Sequence, residues 1–238
     1  MNHLDELEAE SITILREAFA RIDRLGLLWS IGKDSTLILW LLRKAFFGHI
    51  PFPLVQLETH MELPEVYEFR DRLVREWNLP LIIEDCPPEA AMDPTLAAGA
   101  RAAARKTEGL KSVIHREGFE GGWDVTDQPA EFWGQYKTRF EPGTHVRIHP
   151  ILKWTEIDVW RYTQREGIPI VPLYLAKDGL RYRSLGEKNI TLPVESDADT
   201  LDAIIAELET TKVSERSGRI IDNETEDGFE RLRSAGYM

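Results

Sequence analysis

Cysteine is almost missing: Cys86 stands alone in 238 residues. No disulfide can close within the chain, and no thiolate metal cluster can be assembled from it. An excess of basic charge is missing as well, since 29 Lys and Arg face 41 Asp and Glu, a formal net charge of −12. A general nucleic-acid binder needs a basic surface to neutralise phosphates, so that class is not expected. No apolar run approaches the ~18 residues of a membrane span. The start, Met1-Asn2-His3-Leu4-Asp5-Glu6, has neither the basic end nor the apolar stretch of a signal peptide. Repeats and low-complexity tracts are absent too. These absences predict a reduced, cytoplasmic protein with neither a membrane nor a nucleic-acid partner. The acidity suits solubility or a partner with a basic face, and any site for an anionic ligand must be basic locally, against the field of the whole.

What is present is a hydrophobic content of 42 %, ample for a core. The chain is organised around Ser30-Ile31-Gly32-Lys33-Asp34-Ser35. An apolar run, Leu25 to Trp29, leads in, and a second, Thr36 to Leu42, leads out. The pattern reads as strand, tight turn, helix. Ser30 and Gly32 are small enough to let the backbone close on a ligand. The freed amides of the turn and of the helix start favour an anion, and Lys33 adds a positive charge. A phosphate group satisfies all of these at once. This is not a Walker A loop, because five residues separate Gly26 from Gly32 and Asp34 follows Lys33. On these residues alone an ordinary capped strand-to-helix turn accounts for the stretch equally well.

Strand and helix signals then alternate. Apolar positions at helical spacing predict a helix over 3–23. Strand 25–29 and helix 34–46 follow, then strand 54–58, a helix from Pro64 to about Trp77, and strand 81–83. A loop over 87–94 precedes an alanine-rich helix over 97–117 that is basic at Arg101, Arg105, Lys106 and Lys111. His145 to Pro150 reads as the last strand. Thr155 is a natural N-cap, with Asp158 at the third helical position. Beyond residue 175 the alternation stops, apart from a helix at 200–210. Such alternation argues for an α/β fold with a doubly wound parallel sheet. We expect a nucleotide-binding α/β domain over 1–165 and a less regular C-terminal extension over 166–238. Ligands in such sheets sit beyond the carboxyl ends of the strands, which brings 30–35 and 58–60 together. His145 and His149 share a strand face, but no further ligands complete a metal site, and none is expected.

The S-x-G-K-D-S turn resembles the pyrophosphate loop of the N-type ATP pyrophosphatases, whose usual form is S-G-G-K-D-S. The form with Ile resembles one branch, the small subunit of bacterial sulfate adenylyltransferase. Further stretches resemble that branch in the same order: L-E-A-E-S-I near the start, V-Y-E-F-R-D (Val66 to Asp71), K-T-E-G-L-K (Lys106 to Lys111), W-T-E-x-D-x-W from Trp154, I-x-I-V-P-L-Y from Ile168, R-x-R-x-L-G from Arg181 and S-E-R-x-G-R-x-x-D from Ser214. Three departures stand out. His60 replaces a Gly in the acidic-Thr-Gly run that here reads Glu58-Thr59-His60, Glu187 replaces a Cys, and the chain passes from Gly118 straight to Trp123. The family places a strand, a glycine-rich turn and an arginine-rich loop there. Residues missing from the sequence, a Gly-Gly replacement or a reduced homologue would each explain this, and we favour missing residues.

The resemblance implies a nucleotidyltransferase joining AMP from ATP to sulfate, with Mg²⁺ on the phosphates and no covalent intermediate. It implies catalytic roles for Lys33, Ser35 and Arg183, and nucleotide contacts from Ser30, Gly32, Lys33, Asp34, Ser35, Glu58, Thr59, His60 and Lys106. It implies a GTPase large subunit as partner and leaves a homo-oligomer open. A tail ending in the S-E-R motif is expected to fold over the active site or onto that partner. Adenylation of another small substrate, or nucleotide binding without catalysis, are the alternatives. A reductase of adenylyl sulfate or phosphoadenylyl sulfate needs a nucleophilic cysteine in its tail, and Cys86 lies in the wrong half.

Overall fold

The computed structural model describes residues 2–96, 98–118, 147–213 and 215. Among these the chain opens with α1, His3–Arg21, started by a capping box in which the Asn2 side chain accepts from the Asp5 amide and the Asp5 carboxylate accepts from Asn2 in return. The central unit is a parallel sheet in the order β1 (Leu27–Leu28), β2 (Leu54–Glu58), β3 (Leu81–Asp85). Helix α2, Lys33–Ala45, joins β1 to β2, and α3, Pro64–Trp77, joins β2 to β3. Pro64 supplies the first-turn proline and Asn78 the left-handed cap. Helix α4, Ala98–Glu117, packs on β2 and β3. Helix α5, Glu156–Glu166, is capped by Thr155 and Asp158 as the sequence predicts and ends at Gly167, whose φ of 65° suits glycine. A two-residue antiparallel ribbon, β4 (Leu180–Arg181) with β5 (Val194–Glu195), and α6, Leu201–Thr210, complete the described chain.

Two buried clusters hold these parts. One gathers Trp29, Ile31, Leu54, Phe69 and Leu73 with Trp160, Val171, Tyr174 and Ile204. It therefore unites residues on both sides of the expected division at 165. The other fills the space between α1, α2 and α5 with Leu15, Leu37, Leu41, Val159 and Tyr162. Ser11 ties α1 to the chain before α5: its hydroxyl donates to the Pro150 carbonyl at 2.7 Å and accepts from the Trp154 indole at 3.0 Å.

Two strand expectations need correction. The first strand was expected over 25–29, but only Leu27 and Leu28 are assigned to it, although Trp29 still donates to Val55. The last strand was expected over 145–150. Residues 147–149 carry no strand assignment, and Pro150, which has no amide to donate, opens a turn. His145, Val146 and the passage from Gly118 to Trp123 lie outside the described residues.

Candidate active site

The sheet register fixes the geography. Leu28 faces Val55, and Glu58 faces Asp85, so the chain leaves β1, β2 and β3 at one end of the sheet. The turn 30–35 and the stretch 58–60 both emerge there, as expected for neighbours in a parallel sheet.

The turn enters α2 with Gly32 as N-cap and no side-chain cap bond. Of the first-turn amides, which have no acceptor inside the helix, that of Lys33 donates to the buried hydroxyl of Tyr174 at 2.9 Å. No acceptor among the described residues meets the amides of Asp34 and Ser35, which therefore present the positive end of α2. The Ser30 and Ser35 hydroxyls lie 3.1 Å apart, and that of Ser35 also donates to the Gly32 carbonyl at 3.1 Å. A side chain at Gly32 would stand 3.5 Å from the Tyr174 oxygen and 3.6 Å from that of Ser30. Ile31 occupies the left-handed region at φ 67° while its side chain is buried.

Lys33 is the dominant charge. Its side chain is only 2 % exposed, and its ammonium donates to Asp34 at 3.0 Å and to Glu215. Burial pulls the pKa of such a group down, but Asp34 and then Glu215 outweigh it and raise Lys33 above the ordinary lysine value. Tyr174 is pushed up to about 12, by burial first, against the opposing pull of the Lys33 ammonium and amide. It is a neutral phenol at physiological pH. Tyr174 belongs to a stretch that reads from the sequence as packing alone. Its place against the Lys33 amide depends on a contact across 141 positions, which no local pattern signals.

The second stretch is more occupied. Glu58 is buried and accepts from the Tyr67 hydroxyl at 2.8 Å, the His60 amide at 2.7 Å and Arg70 at 3.1 Å. Its oxygens are engaged by the protein itself. Thr59 holds Arg105 through its carbonyl at 3.0 Å, and its hydroxyl is a buried group with no hydrogen-bond partner among the described residues. His60 adopts φ 58°, the conformation that a glycine would adopt freely. Its side chain is 72 % exposed, with one ring nitrogen 2.9 Å from Asp85.

The two distant cations are also paired. Lys106 lies 3.4 Å from Glu187 and 3.9 Å from Glu62. Arg183 binds Glu156 through two nitrogens at 3.1 and 2.7 Å and the Val213 carbonyl through a third at 2.8 Å. All three kinds of guanidinium nitrogen are engaged by protein groups, and the structure makes Arg183 a clamp between α5 and the segment leading to Glu215. Thus the structure brings Ser30, Gly32, Lys33, Asp34 and Ser35 together and sets 58–60 at the same sheet end. Of the S-E-R motif only Glu215 is described. Cys86 is buried against Gly109, and its thiol is pushed up to about 11, chiefly by burial. It is no thiolate at neutral pH.

Residues 24–193 match the phosphoadenosine phosphosulfate reductase domain family. Over the full length, the chain is 37 % identical to "Sulfate adenylyltransferase subunit 2" of Yersinia pestis (strain Pestoides F), covering 100 % of this chain and 98 % of that protein. The chain belongs to the sulfate adenylyltransferase subunit 2 family. The alignment extends over 297 positions, more than the 238 residues of this sequence, so some positions of the relative stand opposite gaps in it. The fold is shared more widely. A phosphoadenylyl-sulfate reductase from Candida auris, a phosphate complex, aligns over 80 % of this chain and 96 % of its own with a TM-score of 0.53 and 16 % identity. An FMN adenylyltransferase from Candida glabrata, in complex with FMN and an ATP analogue, aligns over 80 % and 64 % with a TM-score of 0.54 and 18 % identity.

Proposed function

We propose that the chain transfers AMP from ATP to sulfate, giving adenylyl sulfate and pyrophosphate. The observation that carries this reading is the buried Lys33 ammonium at the start of α2, in a turn with two hydroxyls and two amides that meet no acceptor among the described residues. Such a set suits an anion with several oxygens to share among its donors. Lys33, Ser35 and the amides of Asp34 and Ser35 hold the β and γ phosphates. Ser30 and Gly32 let the backbone close on them. Glu58, Thr59 and His60 border the nucleoside, Lys106 supplies charge from α4, and Arg183 acts by holding the C-terminal segment in place.

Sulfate oxygen attacks the α phosphorus in line. The bond from that phosphorus to the α–β bridging oxygen breaks, and pyrophosphate leaves with the electron pair. The protein supplies positioning and charge stabilisation, with no covalent intermediate. No three His, Cys, Asp or Glu side chains converge on a metal site among the described residues. Mg²⁺, which characteristically binds through phosphates and one or two carboxylates, fits here as a passenger on the triphosphate, with Asp34 as the carboxylate at hand. When bound it neutralises phosphate charge.

Sulfate is a poor nucleophile, and the phosphate–sulfate anhydride it forms is high in energy, so the reaction needs an energy source, which we assign to a GTPase large subunit as partner. A cytoplasmic setting fits both partner and substrates. The test is pyrophosphate release from ATP by the chain purified with its partner GTPase. Release should require sulfate and rise with GTP. Lys33→Ala should lower it by about 10²–10³-fold. Release with another acceptor but not with sulfate would mark adenylation of a different substrate. ATP binding with no release under any condition would mark a nucleotide-binding subunit.

A further inference from the structure

The partner that Lys33 finds across the chain is itself an anion. Glu215 reaches the ammonium from 182 positions away. The segment that brings it is fixed just upstream, where Arg183 donates to the Val213 carbonyl while Glu156, in the first turn of α5, grips the same guanidinium from the other side. A carboxylate therefore lies on the one buried lysine of the turn, next to the open amides at the start of α2.

We propose that Glu215 is an internal stand-in for the leaving pyrophosphate, displaced when a triphosphate enters and returning to Lys33 as pyrophosphate departs. This rests on the assignment of the turn as the site for the terminal phosphates. The physical reasons are two. A buried ammonium without a counter-charge costs several kcal/mol, and Asp34 alone offers one adjacent carboxylate whose side chain is half exposed. Glu215 supplies the second when no ligand is present. When the phosphates are present they are a third anion on an ammonium that Asp34 and Glu215 already share and whose side chain is 2 % exposed. Like charges so crowded repel, and Glu215, which comes from a distant segment rather than from the turn itself, is the one that leaves. Product release then exchanges one anion for another, and Lys33 is never left bare.

The test measures binding of inorganic pyrophosphate, and separately of the α,β-methylene analogue of ATP, to the full-length chain by titration calorimetry. Glu215→Gln keeps the shape and removes the charge. Glu215→Ala also removes any residual amide contact with Lys33, and both replace a partly exposed residue. In both variants the dissociation constants for pyrophosphate and for the analogue should fall on the order of tenfold. Binding of AMP, which has no β or γ phosphate, should not change. Pyrophosphate affinity that is unchanged or weaker in both variants overturns the proposal. The site assignment is judged separately with Lys33→Ala. If that variant binds pyrophosphate as the wild type does, the assignment of the turn falls. If it loses binding while the Glu215 variants match the wild type, only the stand-in falls.

Discussion

Ile31 and His60 occupy the same unusual backbone region, at φ 67° and 58°. Each follows a strand directly or nearly so, and each stands where the related loops carry glycine. A β-branched residue there is strained by about 1–2 kcal/mol. The two positions differ in what the side chain gains. Ile31 is 2 % exposed and belongs to the main buried cluster, which stabilises by about 1.5–3 kcal/mol, with a further cavity cost when it is removed. His60 is solvated and gains only a contact with Asp85. Ile31→Gly should therefore destabilise the fold by about 2 kcal/mol, because lost burial and the extra freedom of an unfolded glycine outweigh the relieved strain. His60→Gly should stay within about 1 kcal/mol of wild type, since relief and entropy nearly cancel. Urea denaturation of the two variants checks this. A stabilised Ile31→Gly would mean that the strain exceeds the packing. The turn's chemistry was legible from its residues: small, small, lysine, then a helix. Its strain was not, because a left-handed isoleucine is not a local preference but is imposed by the core it enters.

At the scale of elements, helix starts were the most readable feature. Thr155 and Asp158 announce α5 through reciprocal bonds of 3.3 and 3.0 Å. Asp158 is pulled two ways. Burial raises its pKa, but the Thr155 hydroxyl and amide, followed by His3, outweigh burial and hold it below the ordinary carboxylate value. A depressed pKa means that the ionised form stabilises the fold above the unfolded value near 3.9, and that this contribution is lost as pH falls through the folded value. Asp158→Asn should lower Tm by about 2–4 °C at pH 7, for a cap worth ~1 kcal/mol. The gap between variant and wild type should close below about pH 4. A gap that persists in acid would assign the effect to packing. Strand limits were less readable. Strand 54–58 lies where the sequence predicts it, whereas the expected strand over 145–150 gives way, in its described part, to a stretch outside any sheet that ends in the turn at Pro150. Strand pairing depends on a neighbour that periodicity does not name. The pairing of Arg183 with Glu156 and Val213 was hidden for the same reason. A basic residue before a small-residue turn resembles an anion site until its distant carboxylate is located.

For the whole molecule the governing fact is a net charge of −12 around a site that must attract a polyanion. The described cations assigned to that site do little at a distance. Lys33 is matched by Asp34 and Glu215, Lys106 by Glu187 and Glu62, and Arg183 by Glu156. Paired charges cancel beyond a few ångströms, so an approaching ATP meets the acidic field of the entire chain before it meets the turn. Screening then helps rather than hinders. Raising ionic strength from about 0.01 M to about 0.15 M shortens the Debye length from about 30 Å to about 8 Å. That removes most of the long-range repulsion, while the contacts made inside the turn, at hydrogen-bond distance, are barely screened. The association rate of ATP with the isolated chain should therefore rise, by about two- to fivefold, over this range of salt. Stopped-flow measurement with a fluorescent ATP analogue, using a chloride salt rather than sulfate or phosphate, follows the rate directly. A rate that falls with salt would mean that the site projects a positive field beyond its own carboxylates, and the pairing of its lysines and arginine would then have to be loosened before ATP arrives.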